Sequence, residues 1–192
     1  MTAFVIGNGL SRKGIDLNKL DGTTYGCNWL YTEFRPDVLV ATDYSISIHI
    51  QNSPYPKYNT FYTRKAYAKS GALQLRSQFK NWASGPNAVQ LAVYDKHDTI
   101  VLLGFDFGGT ENFNNVYAGT QFYKESKSIS TYSGSWKHQI SKVISMNDSV
   151  NFKIVTGLET CHSVNKFNQY KNATIITTDE FCKEYQDNKD HK

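Results

Sequence analysis

Apolar runs of four or five residues, each cut off by glycine or a small polar residue, recur along this chain and constrain its fold more than any other feature. The clearest is Thr99–Leu103, where β-branched residues and leucines run unbroken into Gly104. Thr2–Ile6 stops at Gly7-Asn8-Gly9, Thr23–Cys27 leads into Asn28, and Val38–Ala41 closes on Thr42 and Asp43. Residues 58–62, 152–155 and 174–176 have the same strand-like composition. Helical spacing fills several of the gaps. Trp29, Leu30 and Phe34 precede Pro36, which ends that stretch. Pro86 sits where a first helical turn accepts it, with Ala88, Leu91 and Ala92 following on one face. Residues 135–146 align Trp136, Ile140, Val143 and Ile144, and Thr178-Asp179-Glu180 reads as a helix start. Near-continuous apolar strands alternating with helices imply a sheet covered on both sides. The expected fold class is therefore α/β: a Rossmann-like, mostly parallel sheet with helices on both faces.

At 192 residues the chain suits one domain. Residues 1–182 are expected to form a single nucleotide-binding α/β domain, and the charged tail 183–192 to fray. The aromatic- and Asn-rich stretch 112–132 fits neither the helical nor the strand period. A loop of that length is usually functional or mobile, so a lid is expected over about 108–132.

Lys and Arg total 21 against 17 Asp and Glu, a net +4 that falls short of the basic excess of a duplex nucleic-acid binder. No apolar run approaches the roughly 20 residues of a membrane span. The three cysteines, Cys27, Cys161 and Cys182, have neither zinc spacing nor a disulfide framework. Together with the missing basic or apolar leader, they point to a cytoplasmic address. Nothing in the chain forbids a homo-oligomer.

In open α/β sheets, ligands bind beyond the carboxyl ends of the strands. Four strand ends here deliver a small polar residue: Asn8, Asn28, Asp43 and Asp106. Gly7 and Gly9 flank Asn8 and permit close approach of a ligand to the main chain, and Ser11 adds a hydroxyl. Ser84 and Gly85 open a helix whose N–H groups suit an anion. The combination describes a nucleotide pocket. Lys57, Arg64, Lys65 and Lys69 form a basic group able to attract phosphate. His138 is the candidate general base, because imidazole exchanges protons near neutrality. Cys161-His162 lacks further ligands for zinc, and Asp106-Phe107-Gly108 lacks the companion motifs of a kinase.

The segment Val5-Ile6-Gly7-Asn8-Gly9-Leu10-Ser11, with Cys27-Asn28 ending the next strand, resembles the opening of the small bacterial sialyltransferases that use CMP-sialic acid. Ser84-Gly85 before a helix and the strand ending Gly104-Phe105-Asp106-Phe107 are similar to later segments of that family. Leu10 stands where the family has proline, and Gly26 where it has arginine. The resemblance implies a nucleotide held by Asn8, Gly9, Ser11, Asn28, Ser84, Gly85, Asp106 and Phe107. It also implies lid tyrosines at Tyr117 and Tyr123 and a base at His138. Thr42-Asp43 matches the related archaeal-type 6-hydroxymethylpterin diphosphokinase-like family.

The expected activity is metal-independent transfer of a sugar from a nucleotide sugar, such as a CMP-sugar, to an acceptor hydroxyl, with no other cofactor. No Asp-x-Asp metal pair is present. The alternatives are a non-catalytic nucleotide-binding or nucleotide-sequestering protein, and an ATP-dependent diphosphokinase-like transferase with magnesium on Asp43 and Asp106.

Overall fold

The computed structural model describes residues 1–79, 81–107, 114–129, 133–157 and 164–187. Among these, eight strands form one sheet: β1 (Thr2–Ile6), β2 (Thr23–Cys27), β3 (Val38–Ala41), β4 (Thr60–Thr63), β5 (Leu73–Gln74), β6 (Thr99–Leu103), β7 (Asn151–Thr156) and β8 (Ala173–Thr177). Their order is β5-β4-β3-β2-β1-β6-β7-β8, and every neighbouring pair is parallel. The sheet is thus wholly parallel.

Side chains alternate across a strand, and the register carries that alternation from strand to strand. Ala3 and Val5 face α3 (Ser84–Tyr94) and α4 (Ser133–Ser145), in a core with Ile100, Leu102, Ala88, Val89, Ile140 and Val143. Phe4 and Ile6 pair in register with Val101 and Leu103 and face the other way, against Leu17, Leu30 and Phe181. Phe181 lies on α5 (Thr178–Tyr185), which opens with a capping box between Thr177 and Glu180. A third cluster packs Ile46 and Ile50 of α1 (Tyr44–Asn52) on Leu39, Ala41 and Phe61. A single-turn helix, α2 (Tyr55–Tyr58), follows α1.

The expected tail boundary at 183 falls inside α5, and buried Gln186 donates to the Asp16 carbonyl at 2.8 Å. Residues 188–192, Cys161 and His162 lie outside the described residues, as do 108–113 and 130–132 of the expected lid. No helix among the described residues is long and apolar enough to cross a membrane.

Candidate functional site

The chain adds β2 to β5 on one side of β1, then returns to lay β6 on its other side. The strand order therefore reverses between β1 and β6. Beyond the carboxyl ends of this pair the connecting segments diverge, which is where open α/β sheets form a crevice. A cavity of about 970 Å³ lies there.

Close main-chain packing builds its floor. Gly7 N–H donates to Leu103 O at 2.7 Å and Gly9 N–H to Gly104 O at 2.9 Å. Gly104 has φ +68, and a Cβ there would come within 2.9 Å of the Gly7 carbonyl oxygen. Two non-glycine residues on the wall also take left-handed backbone: Asn28 (φ 53) and Phe107 (φ 51). Asparagine tolerates that region, whereas a bulky residue there is an outlier of the kind that clusters at binding sites.

Hydrogen bonds run across the strand ends. Thr42 N–H donates to Ser84 Oγ at 2.9 Å, and Ser84 Oγ donates to Asn28 Oδ1 at 2.7 Å. That contact orients the Asn28 amide, whose Nδ2 faces Asp43 Oδ2 at 3.4 Å. Asn8 Nδ2 reaches the Cys27 carbonyl at 3.3 Å and the Tyr123 hydroxyl at 3.2 Å. Asn8 Oδ1 is buried with no hydrogen-bond partner among the described residues. A buried acceptor left unpaired costs stability, so it marks a place where a ligand donor would be favourable.

Of the residues expected to hold nucleotide, Asn8, Gly9, Asn28, Asp43, Ser84, Gly85, Asp106, Phe107 and Tyr123 line this one cavity. Ser11 does not; its N–H donates to Asp106 Oδ2 at 3.0 Å. Tyr117 also stands off the wall. Its hydroxyl donates to Glu33 Oε1 and accepts from Arg12 Nη2 at 2.9 Å, and both Tyr117 and Arg12 are buried. His138 occupies the exposed side of α4, whereas Ser135, Trp136 and Gln139 of the same helix face the cavity. No histidine among the described residues lines it.

Phe122, from the aromatic stretch of the expected lid, and Tyr67 also line the wall, together with Tyr44 and Gln139, for which the sequence offered no signal. Of the four basic residues singled out, Arg64 and Lys65 line the cavity, while Lys57 and Lys69 do not. The N-terminal turn of α3, through Ala83, Ser84, Gly85 and Pro86, faces the same space. Ala83 N–H is taken by Gln139 Oε1 at 3.0 Å and Pro86 has none, so the Ser84 and Gly85 N–H groups and the two cations make that side of the cavity anion-friendly.

Residues 114–129 of the segment expected as a lid are among those described. Val116 N–H donates to the Asn8 carbonyl at 2.8 Å, and Asn114, Asn115, Phe122, Tyr123 and Lys124 line the cavity. Burial raises the Tyr123 phenol and the Asp43 charge adds to the rise, against bonds to the Trp29 backbone and the Asn8 amide. Tyr123 is therefore a neutral hydroxyl near pH 7. Asp43 is exposed at the cavity mouth, yet desolvation by the wall beside its carboxyl raises it above its ordinary value, opposed by Arg64 and the Asn28 amide. Burial pushes the Cys27 thiol up to about 12, so it is an inert part of the wall. No group of three or more His, Cys, Asp or Glu converges as a metal site among the described residues.

No protein-family model matches the chain, and no curated protein does. It is similar to the solved structure of the sialyltransferase CstII from Campylobacter jejuni in complex with a substrate analogue, cytidine-5'-monophosphate. That similarity is 14% in identity, spans 80% of this chain and 78% of the other, and has a TM-score of 0.45.

Proposed function

We propose that this protein is a nucleotide-sugar-dependent glycosyltransferase that moves a sugar to an acceptor hydroxyl without a divalent metal. The observation that carries the reading is convergence. Polar residues from the ends of β1, β2, β3 and β6 meet the N-terminus of α3 around one cavity. Its 970 Å³ is at the upper end of small-ligand pockets and has room for a nucleoside phosphate with a sugar attached.

In this reading Asn8, Asn28 and Ser84 hydrogen-bond the base and ribose, and Phe107 and Tyr123 offer ring faces to the base. The Gly9 main chain lets the ligand lie close. Gly85 N–H, Arg64 and Lys65 take the phosphate and stabilise charge as it develops on the leaving group. The segment from Asn114 to Lys124 excludes water from the reacting carbon.

The exposed position of His138 favours a second reading, in which the cavity binds and retains a nucleotide without chemistry. Thermal-shift measurements against CMP, UMP, AMP, GMP and their sugar conjugates test both. A ligand present at 100 times its Kd adds about 2.7 kcal/mol, or roughly 5–10 °C for a chain of this size. The absence of a shift with every compound would overturn both readings. Cleavage of the stabilising nucleotide sugar in the presence of a chelator is expected of the transferase, and recovery of intact ligand of the sequestering protein.

A further inference from the structure

Asp43 occupies the N-cap position of α1, where an aspartate side chain ordinarily accepts from the N–H groups of the first turn. It makes no such bond here. The backbone carbonyl of Asp43 accepts from Ser47 N–H at 2.8 Å, while the side chain turns to the Asn28 amide and the cavity. The arrangement that receives it is directional. Thr42 N–H and Ser84 Oγ set the Asn28 amide so that its NH2 end points at the Asp43 carboxylate, on a residue held at φ 53. A helix that forgoes a side-chain cap, and a neighbour that accepts left-handed backbone, both aim one carboxylate into the site.

The other carboxylate of the wall is differently employed. Asp106 is 4% exposed, and its Oδ2 accepts from Ser11 N–H. Arg64 and Lys65 past β4 and Lys124 on the loop are cations, and Tyr123 on the loop is a neutral phenol. Cys27 ends β2 with a buried, protonated thiol, and Tyr44 and Tyr67 stand on the same wall. Among the described residues the wall carries no histidine, and Asp43 is the carboxylate there that faces the open cavity.

We infer that Asp43 takes the proton from the acceptor hydroxyl, an assignment that rests on the transferase reading above. The acceptor O–H proton passes to the Asp43 carboxylate as the acceptor oxygen bonds to the anomeric carbon. The glycosyl–phosphate bond breaks, and its electron pair leaves with the nucleoside phosphate. Asp43 then releases its proton to water. A carboxyl raised above the ordinary aspartate value is better matched to this role than a free one, while Arg64 nearby keeps the charged form accessible.

The test compares the wild type with Asp43→Asn, using UDP-glucose, GDP-mannose and CMP-sialic acid as donors and following donor loss against pH. The expected result is a fall in kcat of about 100-fold or more. The donor KM should change little, and the matching nucleoside monophosphate should still bind by calorimetry. In the wild type, activity falls as pH drops through the Asp43 pKa, and that acid limb disappears in the variant. Wild-type turnover in Asp43→Asn, or an unchanged acid limb, overturns the assignment and leaves the transferase reading standing. If the wild type turns over no donor, the transferase reading falls and takes this assignment with it. Carboxyl carbon NMR titration of Asp43 in the wild type provides a readout that needs no variant. A titration that does not track the acid limb of the wild-type activity would overturn the assignment.

Discussion

At the scale of single residues, the site depends on how closely two main chains approach. Gly9 has φ −70, a value open to any residue, so its glycine identity is about space. A Cβ there would lie 2.6 Å from Asp106 Oδ2 and 2.7 Å from the Gly104 carbonyl oxygen. The second of these is backbone and cannot swing away. Gly9→Ala is expected to cost about 1–3 kcal/mol of stability, measured by urea denaturation, and to weaken nucleotide binding by displacing Asp106. Asn8, Asn28, Asp43 and Asp106 were legible in the sequence, because each falls just past the end of an apolar run and a parallel strand brings its carboxyl end to the rim where ligands bind. The destination of Ser11 was not legible. Its side chain emerges from a 3-10 turn, Leu10–Arg12, whose rotation sends it away from the cavity.

At the scale of elements, α1 shows how a local pattern loses to packing. Ile46, Ile48 and Ile50 alternate with polar residues, which is a strand period. The segment is nevertheless helical, because Ile46 and Ile50 are one turn apart and both reach Leu39, Ala41 and Phe61. The two-residue strand β5 is exposed and carries no pattern to read. The segment over the cavity is tied down by a brace the sequence did not disclose. Arg12 Nη2 donates to Glu33 at 2.6 Å and to Tyr117 at 2.9 Å, and Tyr117 donates to Glu33. Burial works to raise the Glu33 carboxyl, but the Tyr117 and Arg12 contacts outweigh it and hold the group below its ordinary value. A lowered folded-state value means that the stability gained from Glu33 is present above the unfolded carboxylate value. It is lost as pH falls through the folded one. Tyr117→Phe is therefore expected to lose about 1–3 kcal/mol near neutrality. It should also show a flatter loss of stability on acidification, as denaturation curves at several pH values would record.

At the scale of the whole molecule, the candidate cavity and a purely structural polar cluster occupy opposite rims of the sheet. α3 begins at the cavity with Ser84 and ends near Asp95, which accepts from the buried Tyr25 hydroxyl at 2.6 Å beside His97. Hydrogen exchange should report that division. A bound nucleotide is expected to slow the amides of Gly9, Asn28, Thr42 and Gly85 and to leave those of His97 and Asp98 unchanged. Equal protection at both rims would contradict a ligand seated at the β1–β6 crevice. The amino-acid sequence by itself determined the α/β class and the polar ends of the central strands, because burial on both faces requires unbroken apolar runs with abrupt polar stops. Only the tertiary structure decided that nine of the expected residues share a single cavity, that Tyr117 braces the loop from behind, and that His138 points outward while Asp43 points in. Those outcomes depend on strand order, helix rotation and contacts between residues far apart in the chain, none of which a local pattern encodes.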